Sequence, residues 1–343
     1  MCTGSDFELA DGWTLALGEI ISSRPGRTLV AHAAVTSCPR SDLNGQSVVV
    51  KWSWVSPDRT SEADIIASAR KLAEEDCPRM LLHLPEIYHS QRCDSLLLPC
   101  HCQETLLKHS EGRILRVIIQ KKLRPIRRLE NPDMLAQAFK AIFECYRWLY
   151  EAAKIMHRDI SIGNFMFHEV DGKMYGVLND FDHALDFGKK TESTSKQRTG
   201  TKLYMAIDLL VPDPPQHLYR HDLESFLYVL VCLACETEHP FRDGKTTLRR
   251  WAELGMTDLY YRKYTAITRD DFPSLKDGFT RFNWWIFEMK EIFRTGFNAC
   301  SDHASNVRRA KMRNITEPPA FDHETLGGEV TFDKFAATMD TFK

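Results

Sequence analysis

The chain has 343 residues, 45 of them basic and 47 acidic, for a formal charge of −2. That balance excludes a global field drawing the molecule onto nucleic acid or an anionic membrane, so neither is expected as a partner; the length allows a large core shared between two lobes. No apolar stretch is long enough to span a bilayer and nothing near Met1 reads as a secretory leader. The expected compartment is therefore cytoplasm or nucleus, with the 10 cysteines mostly as thiols.

In chain order, Trp13 to Ile21 and Thr28 to Val35 predict strands flanking a turn at Pro25-Gly26-Arg27, and Ser47 to Trp54 predicts a third, β-branched strand. Lys51 is a lone cation in that apolar strand. Burying an ammonium is costly unless anions meet it, and a phosphate with a carboxylate would do so. Thr60 to Glu75 places Ile65, Ile66, Ala69, Leu72 and Ala73 at the spacing of one helix face. The local group Cys93, Cys100, His101 and Cys102 fits no standard zinc spacing and predicts a strand and turn instead. Leu96 to Leu98 and Leu115 to Ile119 predict two more strands. Asn131-Pro132-Asp133 then opens a long amphipathic helix carrying Leu135, Phe139, Ile142, Phe143, Tyr146, Leu149 and Tyr150 on the helical period.

Directly after that helix stands His157-Arg158-Asp159-Ile160-Ser161-Ile162-Gly163-Asn164, and further on Asp180-Phe181-Asp182. Asp159 is a candidate to take a proton from a hydroxyl, and Asn164 and Asp180 offer the hard oxygen atoms that Mg²⁺ prefers. Phe165 to His168, the turn-forming Asp171-Gly172-Lys173 and Tyr175 to Leu178 predict a hairpin that returns Asp180 beside the loop. Phosphoryl transfer asks a protein mainly to position the nucleophile and neutralise phosphate charge with metal, and this set of groups is suited to it. The spacing of Asp159 and Asn164 is that of the loop H-R-D-x-x-x-x-N.

These motifs resemble the eukaryotic protein-kinase superfamily and, more narrowly, the fungal-type protein kinase family. Val48-Val49-Val50-Lys51-Trp52, Gly200-Thr201-Lys202-Leu203-Tyr204-Met205-Ala206 and Arg220-His221-Asp222-Leu223-Glu224-Ser225-Phe226 carry the resemblance further, over approximately Arg24 to Trp285. It implies an α+β, bilobal protein-kinase-like fold with a small β-rich N-lobe (1–122) and a larger, mainly helical C-lobe (123–313), followed by a tail (314–343). It implies ATP and Mg²⁺ as cofactors and a protein Ser or Thr as acceptor. Lys51 would anchor phosphates with Glu62 as its partner and Glu74 as the alternative. Gln120-Lys121-Lys122 would be the adenine hinge, and Gly26 and Arg27 would lie over the phosphates. Asp159 would orient the nucleophile, while Asn164 and Asp180 bind metal. His157 would be structural, Asp208 would pair with a later Arg, and Asp222 would hold the catalytic-loop backbone unless it is simply a helix N-cap.

The sequence also departs from the kinase pattern. A single Gly stands in the phosphate-covering turn, Ser161 replaces the Lys usual after the catalytic Asp, and Asp182 replaces the Gly after Asp180-Phe181. These departures keep open a catalytically weak pseudokinase scaffold and a small-molecule phosphotransferase of the choline-kinase or aminoglycoside-kinase type. Arg158 suits pairing with a phosphorylated loop residue, Thr199 first and then Thr194 or Ser195. Thr201 is expected to shape the substrate groove beside Asp159. Trp251, Trp284, Trp285, Phe287, Ile292 and Phe293 read as core of a helical lobe. The tail from Asn314, without a clear period, is expected to pack loosely. The protein substrate and the oligomeric state are not legible.

Overall fold

The computed structural model describes residues 6–24, 28–57, 59–93, 113–188, 200–235, 247–269 and 272–342. Gly26, Arg27, Thr194, Ser195 and Thr199, together with the strand expected at Leu96–Leu98 and the group Cys100, His101 and Cys102, lie outside the described residues. The chain divides into two compact units, Met1–Leu123 and Arg124–Lys343. The first carries an antiparallel sheet and the second most of the helices, giving a mixed α/β protein. Among the described residues no helix is long and apolar enough to cross a membrane.

The first unit is built on a six-stranded sheet of β1 (Asp6–Glu8), β2 (Thr14–Arg24), β3 (Thr28–Ser37), β4 (Ser47–Val55), β5 (Ile87–Cys93) and β6 (Ile114–Lys121), in the order β1-β2-β3-β4-β6-β5. Alternation sets its faces: Leu29, Ala31, Ala33 and Val35 of β3 join Val48, Val50, Trp52 and Trp54 of β4 and Leu115, Val117 and Ile119 of β6 in one apolar core. Residue 51 therefore points to the opposite face. There it meets helix α1 (Glu62–Asp76), whose N-cap Ser61 accepts from the Asp64 amide at 3.3 Å. Strand β6 runs two residues past its expected end, so Gln120 is a ladder residue opposite Val49 and Ile87, while Lys122 follows the strand.

The second unit is organised around α2 (Pro132–Glu151), opened by Asn131, whose side chain accepts from the amides of Asp133 and Met134, with Pro132 in the first turn. One short strand comes first in chain order in each of its two small sheets: β7 (Arg124–Pro125) joins β9 (Phe165–Val170) and β10 (Lys173–Leu178), and β8 (Ile155–Met156) pairs with β11 (Leu185–Asp186). The β9–β10 hairpin turns through Asp171 and Gly172, both at positive φ (50° and 72°). Helices α3 (Tyr219–Cys235), α4 (Thr247–Glu253), α5 (Met256–Arg269), α6 (Asn283–Arg313) and α7 (Phe332–Met339) complete the unit. Phe139 of α2 holds the centre, with ring centroids 5.7 Å from both Phe165 and Phe226.

The expectation of a loosely packed tail is overturned. Leu326, Val330 and Phe335 are at most 1% exposed, and Phe332 stacks on Tyr219 at 4.8 Å with Tyr146 and Tyr150 around it. A mixed composition hid this, because the tail's apolar residues meet separate partners, Phe332 the rings of Tyr146 and Tyr219 and Phe342 those of Phe282 and Trp285, rather than following a period of their own. The reading of Asp222 as a helix N-cap is also corrected. The helix begins at Tyr219, so Asp222 lies within its first turn and is not an N-cap.

Candidate active site

In the first unit Lys51 Nζ lies 2.7 Å from Glu62 Oε2, with both side chains at least 95% buried (5% and 3% exposed). Glu74, the alternative partner, is exposed. A buried strand cation thus meets the carboxylate in the first turn of α1, as burial of an ammonium requires.

In the second unit the segment from Ile155 to Asn164 is fixed by bonds to both sides. Arg158 occupies the left-handed region (φ 65°), a conformation that a non-glycine residue adopts at a cost and that neighbours must hold. Its amide donates to Asp222 Oδ2 at 3.0 Å and its Nε to the carbonyl of His183 at 2.8 Å. Asp222 is fully buried and also accepts from Tyr146 O–H (2.8 Å) and His217 Nε2 (2.8 Å). Burial pushes its carboxyl up, but the His217 ring and bond, the Arg158 amide and His157 outweigh it. The carboxyl sits below its ordinary value and stays ionised.

His157 is also fully buried, and burial holds its pKa below the ordinary value against the pull of Asp222, Asp159 and Asp180. A neutral ring with its proton on Nε2 satisfies both neighbours: Nε2 donates to Asn179 O at 3.1 Å, and Nδ1 faces the Asp159 amide at 3.4 Å. Phe181 packs edge-on to it at 4.9 Å, so the ring joins the Asp159 loop to the Asp180 turn.

The Asp159 carboxylate is oriented from the opposite side. Its Oδ1 accepts from the Thr201 amide at 2.9 Å and the Thr201 hydroxyl at 3.1 Å. Gly200 makes this approach feasible: at φ 108° a Cβ there would stand 3.3 Å from Arg158 O. Within the loop, Asn164 Nδ2 donates to Asp159 O at 2.8 Å, and the Asn179 amide donates to Asn164 O at 2.9 Å. With its Nδ2 engaged inward, Asn164 has its amide oxygen as the atom suited to a hard cation, and Asp180, held at φ 63°, adds a carboxylate. This oxygen donor chemistry fits Mg²⁺. Ser161 is buried and brings no cation to the loop.

Asp208 pairs with Arg220 at 2.6 Å, and Arg220 Nε donates to His323 O at 2.6 Å, so the ion pair is tied to the tail. Three groups that hold this region escaped sequence reasoning. His217 had no motif around it. Glu224 stood in the quoted Arg220 to Phe226 motif without a role of its own, and Lys263, next to Arg262 in a mixed helix, gave no local signal of burial.

A carboxylate steered by a threonine, an asparagine turned to its backbone and an acidic turn beside them are the parts of a phosphotransferase of the kinase class. Residues 89–234 match the family model described as fungal protein kinase. This is the family that the motifs of the chain resemble, reached on a segment containing Asp159, Asn164, Asp180, Asp208 and Asp222. No curated protein matches the chain.

Proposed function

We propose that the protein is a bilobal protein kinase that transfers the γ-phosphoryl group of ATP to Ser or Thr hydroxyls of a protein. The observation that carries this reading is the double donation of Thr201 to Asp159 Oδ1, which couples the candidate base to the loop Gly200 to Ala206. That loop resembles the peptide-binding loop of protein kinases, and small-molecule kinases lack it.

In this reading Asp159 orients the acceptor hydroxyl and takes its proton, using the oxygen not engaged by Thr201. Asn164 and Asp180 hold Mg²⁺, which supplies charge neutralisation on the phosphates when bound. Lys51, kept in place by Glu62, anchors phosphate oxygens, and the backbone after Gln120, toward Lys122, receives adenine. Arg158 donates through its Nε to His183 O, and its guanidinium is the kind of group that pairs with a phosphorylated loop residue. A weak scaffold is the second reading, favoured by the buried Ser161 where a cation would steady the γ-phosphate.

The test is incubation with ATP carrying a labelled γ-phosphate and a degenerate peptide mixture, followed by phosphoamino-acid analysis. Label on serine and threonine is expected. Label confined to a small-molecule acceptor, or nucleotide binding with no transfer, would replace this reading with one of its rivals.

A further inference from the structure

The segment Met205-Ala206-Ile207, which follows the Thr201 contact, is held by two buried charged side chains that no part of the proposed chemistry uses. Glu224 of α3 and Lys263 of α5 are both fully buried (0% exposed). Glu224 Oε1 accepts from the Ile207 amide at 2.8 Å and from Tyr228 O–H at 2.7 Å, while its Oε2 has no hydrogen-bond partner among the described residues. Lys263 donates to the carbonyl of Met205, and its ammonium lies 3.7 Å from the centroid of the Tyr228 ring. Tyr228 therefore stands between them, giving its face to the cation and its proton to the anion.

The backbone of this segment is committed at both ends. The Met205 amide donates to Thr201 O at 3.2 Å and the Tyr204 amide to the same oxygen at 2.9 Å. Lys202 adds a tie to Leu254 O at 2.7 Å. A turn that begins with the residue gripping Asp159 thus ends with its carbonyl on Lys263 and its next free amide on Glu224. Burying two charges to reach two backbone groups is an expensive way to stabilise a helix pair, since apolar residues of the same volume are often as good or better. What the charges provide that apolar residues cannot is a fixed position for this one stretch of backbone.

We infer that Glu224 and Lys263 are positioning residues that fix the protein-substrate loop and, through the Thr201 turn, the Asp159 carboxylate. The inference rests on the kinase reading for its functional half and on backbone geometry alone for its structural half. The burial-driven shifts of both side chains toward neutrality, Glu224 upward and Lys263 downward, agree with groups held where water would not place them.

The experiment uses the full chain with Lys263→Met and Glu224→Met, which keep side-chain volume and lose the polar contact, beside Glu224→Gln, which keeps an acceptor. Hydrogen exchange of peptides covering residues 203–209 is read by mass spectrometry, together with melting temperature and steady-state transfer to a protein substrate. For the two Met variants, exchange over 203–209 is expected to rise above that of the rest of α3 and α5, with a melting temperature lowered by the partner charge and backbone group left buried. Their kcat/KM for protein is expected to fall about tenfold with the KM for ATP within about twofold, the scale of one lost hydrogen bond to a charged group. Glu224→Gln is expected to restore most of both. Unchanged exchange overturns the anchoring itself. Raised exchange with unchanged transfer overturns the positioning role. A wild-type protein that transfers no phosphate defeats the kinase reading and the positioning role with it, while the exchange data still decide whether the anchoring exists. Should Lys263→Met fail to fold, the double variant Glu224→Gln with Lys263→Met removes both charges and is judged by the same readouts.

Discussion

Asp222 shows how one side chain can organise a loop that it does not belong to. Its carboxylate receives the Arg158 amide, the Tyr146 hydroxyl and the His217 ring, and so holds a left-handed residue immediately before Asp159. Asp222→Ala leaves those donors buried without an acceptor and is expected to cost about 3–5 kcal/mol in urea unfolding. Tyr146→Phe, which removes one donor and leaves an ionised acceptor with two, is expected to cost only about 1 kcal/mol. Equal losses for the two would mean that the carboxylate is not the organising centre. At this scale the sequence was informative where a motif fixed spacing, as for Asp159, Asn164 and Asp180. It was silent on His217, because a ring that reaches Asp222 from outside the helix is placed by the fold of the preceding loop, and no local pattern encodes that path.

Two tight packings decide how the elements of the second unit meet. Gly176 of β10 lies so close to α2 that an added Cβ would collide with the Ala138 carbonyl and approach Ile142 to 3.0 Å. Gly176→Ala is therefore expected to destabilise by roughly 1–3 kcal/mol by forcing α2 off the hairpin, read as a lower melting temperature. Between α3 and α5 the cost is electrostatic. Burial pushes Glu224 up to about 7, against Tyr228, Lys263 and the Ile207 amide and with Asp208, and pushes Lys263 down to about 7, against Glu224 and Cys232. The Glu224 contribution is intact below its unfolded value of 4.5 and is lost as pH rises through about 7; that of Lys263 is intact above 10.5 and is lost as pH falls through about 7. Both losses are complete only near neutrality. The double variant Glu224→Gln with Lys263→Met should gain most over wild type in urea at about pH 7 and less toward pH 5 and pH 10. A gain independent of pH would show that neither group titrates across this range. Helix α1 was readable from the spacing of its apolar residues, and α2 from its period and the Asn131-Pro132-Asp133 start. Strand β5 was not, since Ile87 to Cys93 alternates weakly and takes its strand form from pairing with β6.

At the scale of the molecule, the tail is part of the folded second unit. Phe335 is fully buried against Phe143 and Phe293, Arg147 pairs with Asp333 at 2.7 Å, and Tyr219 O–H donates to Val330 O at 3.1 Å. Phe335→Ala is expected to cost about 3–5 kcal/mol, and an unchanged melting temperature would mean that the tail detaches in solution. This packing was invisible in the sequence because aromatic residues scattered through a polar segment gain meaning only from the cleft that receives them. The order of kinase-like motifs, by contrast, was legible along the chain, since each motif is a local solution to a chemical requirement. The central claim, that Asp159 serves phosphoryl transfer, is tested most directly by the intact mass of the purified protein over time with Mg²⁺ and ATP, beside Asp159→Ala prepared identically. Stepwise gains of phosphate mass in the wild type and none in the variant are the expected result. Equal gains in both, or a wild type that binds nucleotide and never gains mass or phosphorylates an added protein, would contradict it.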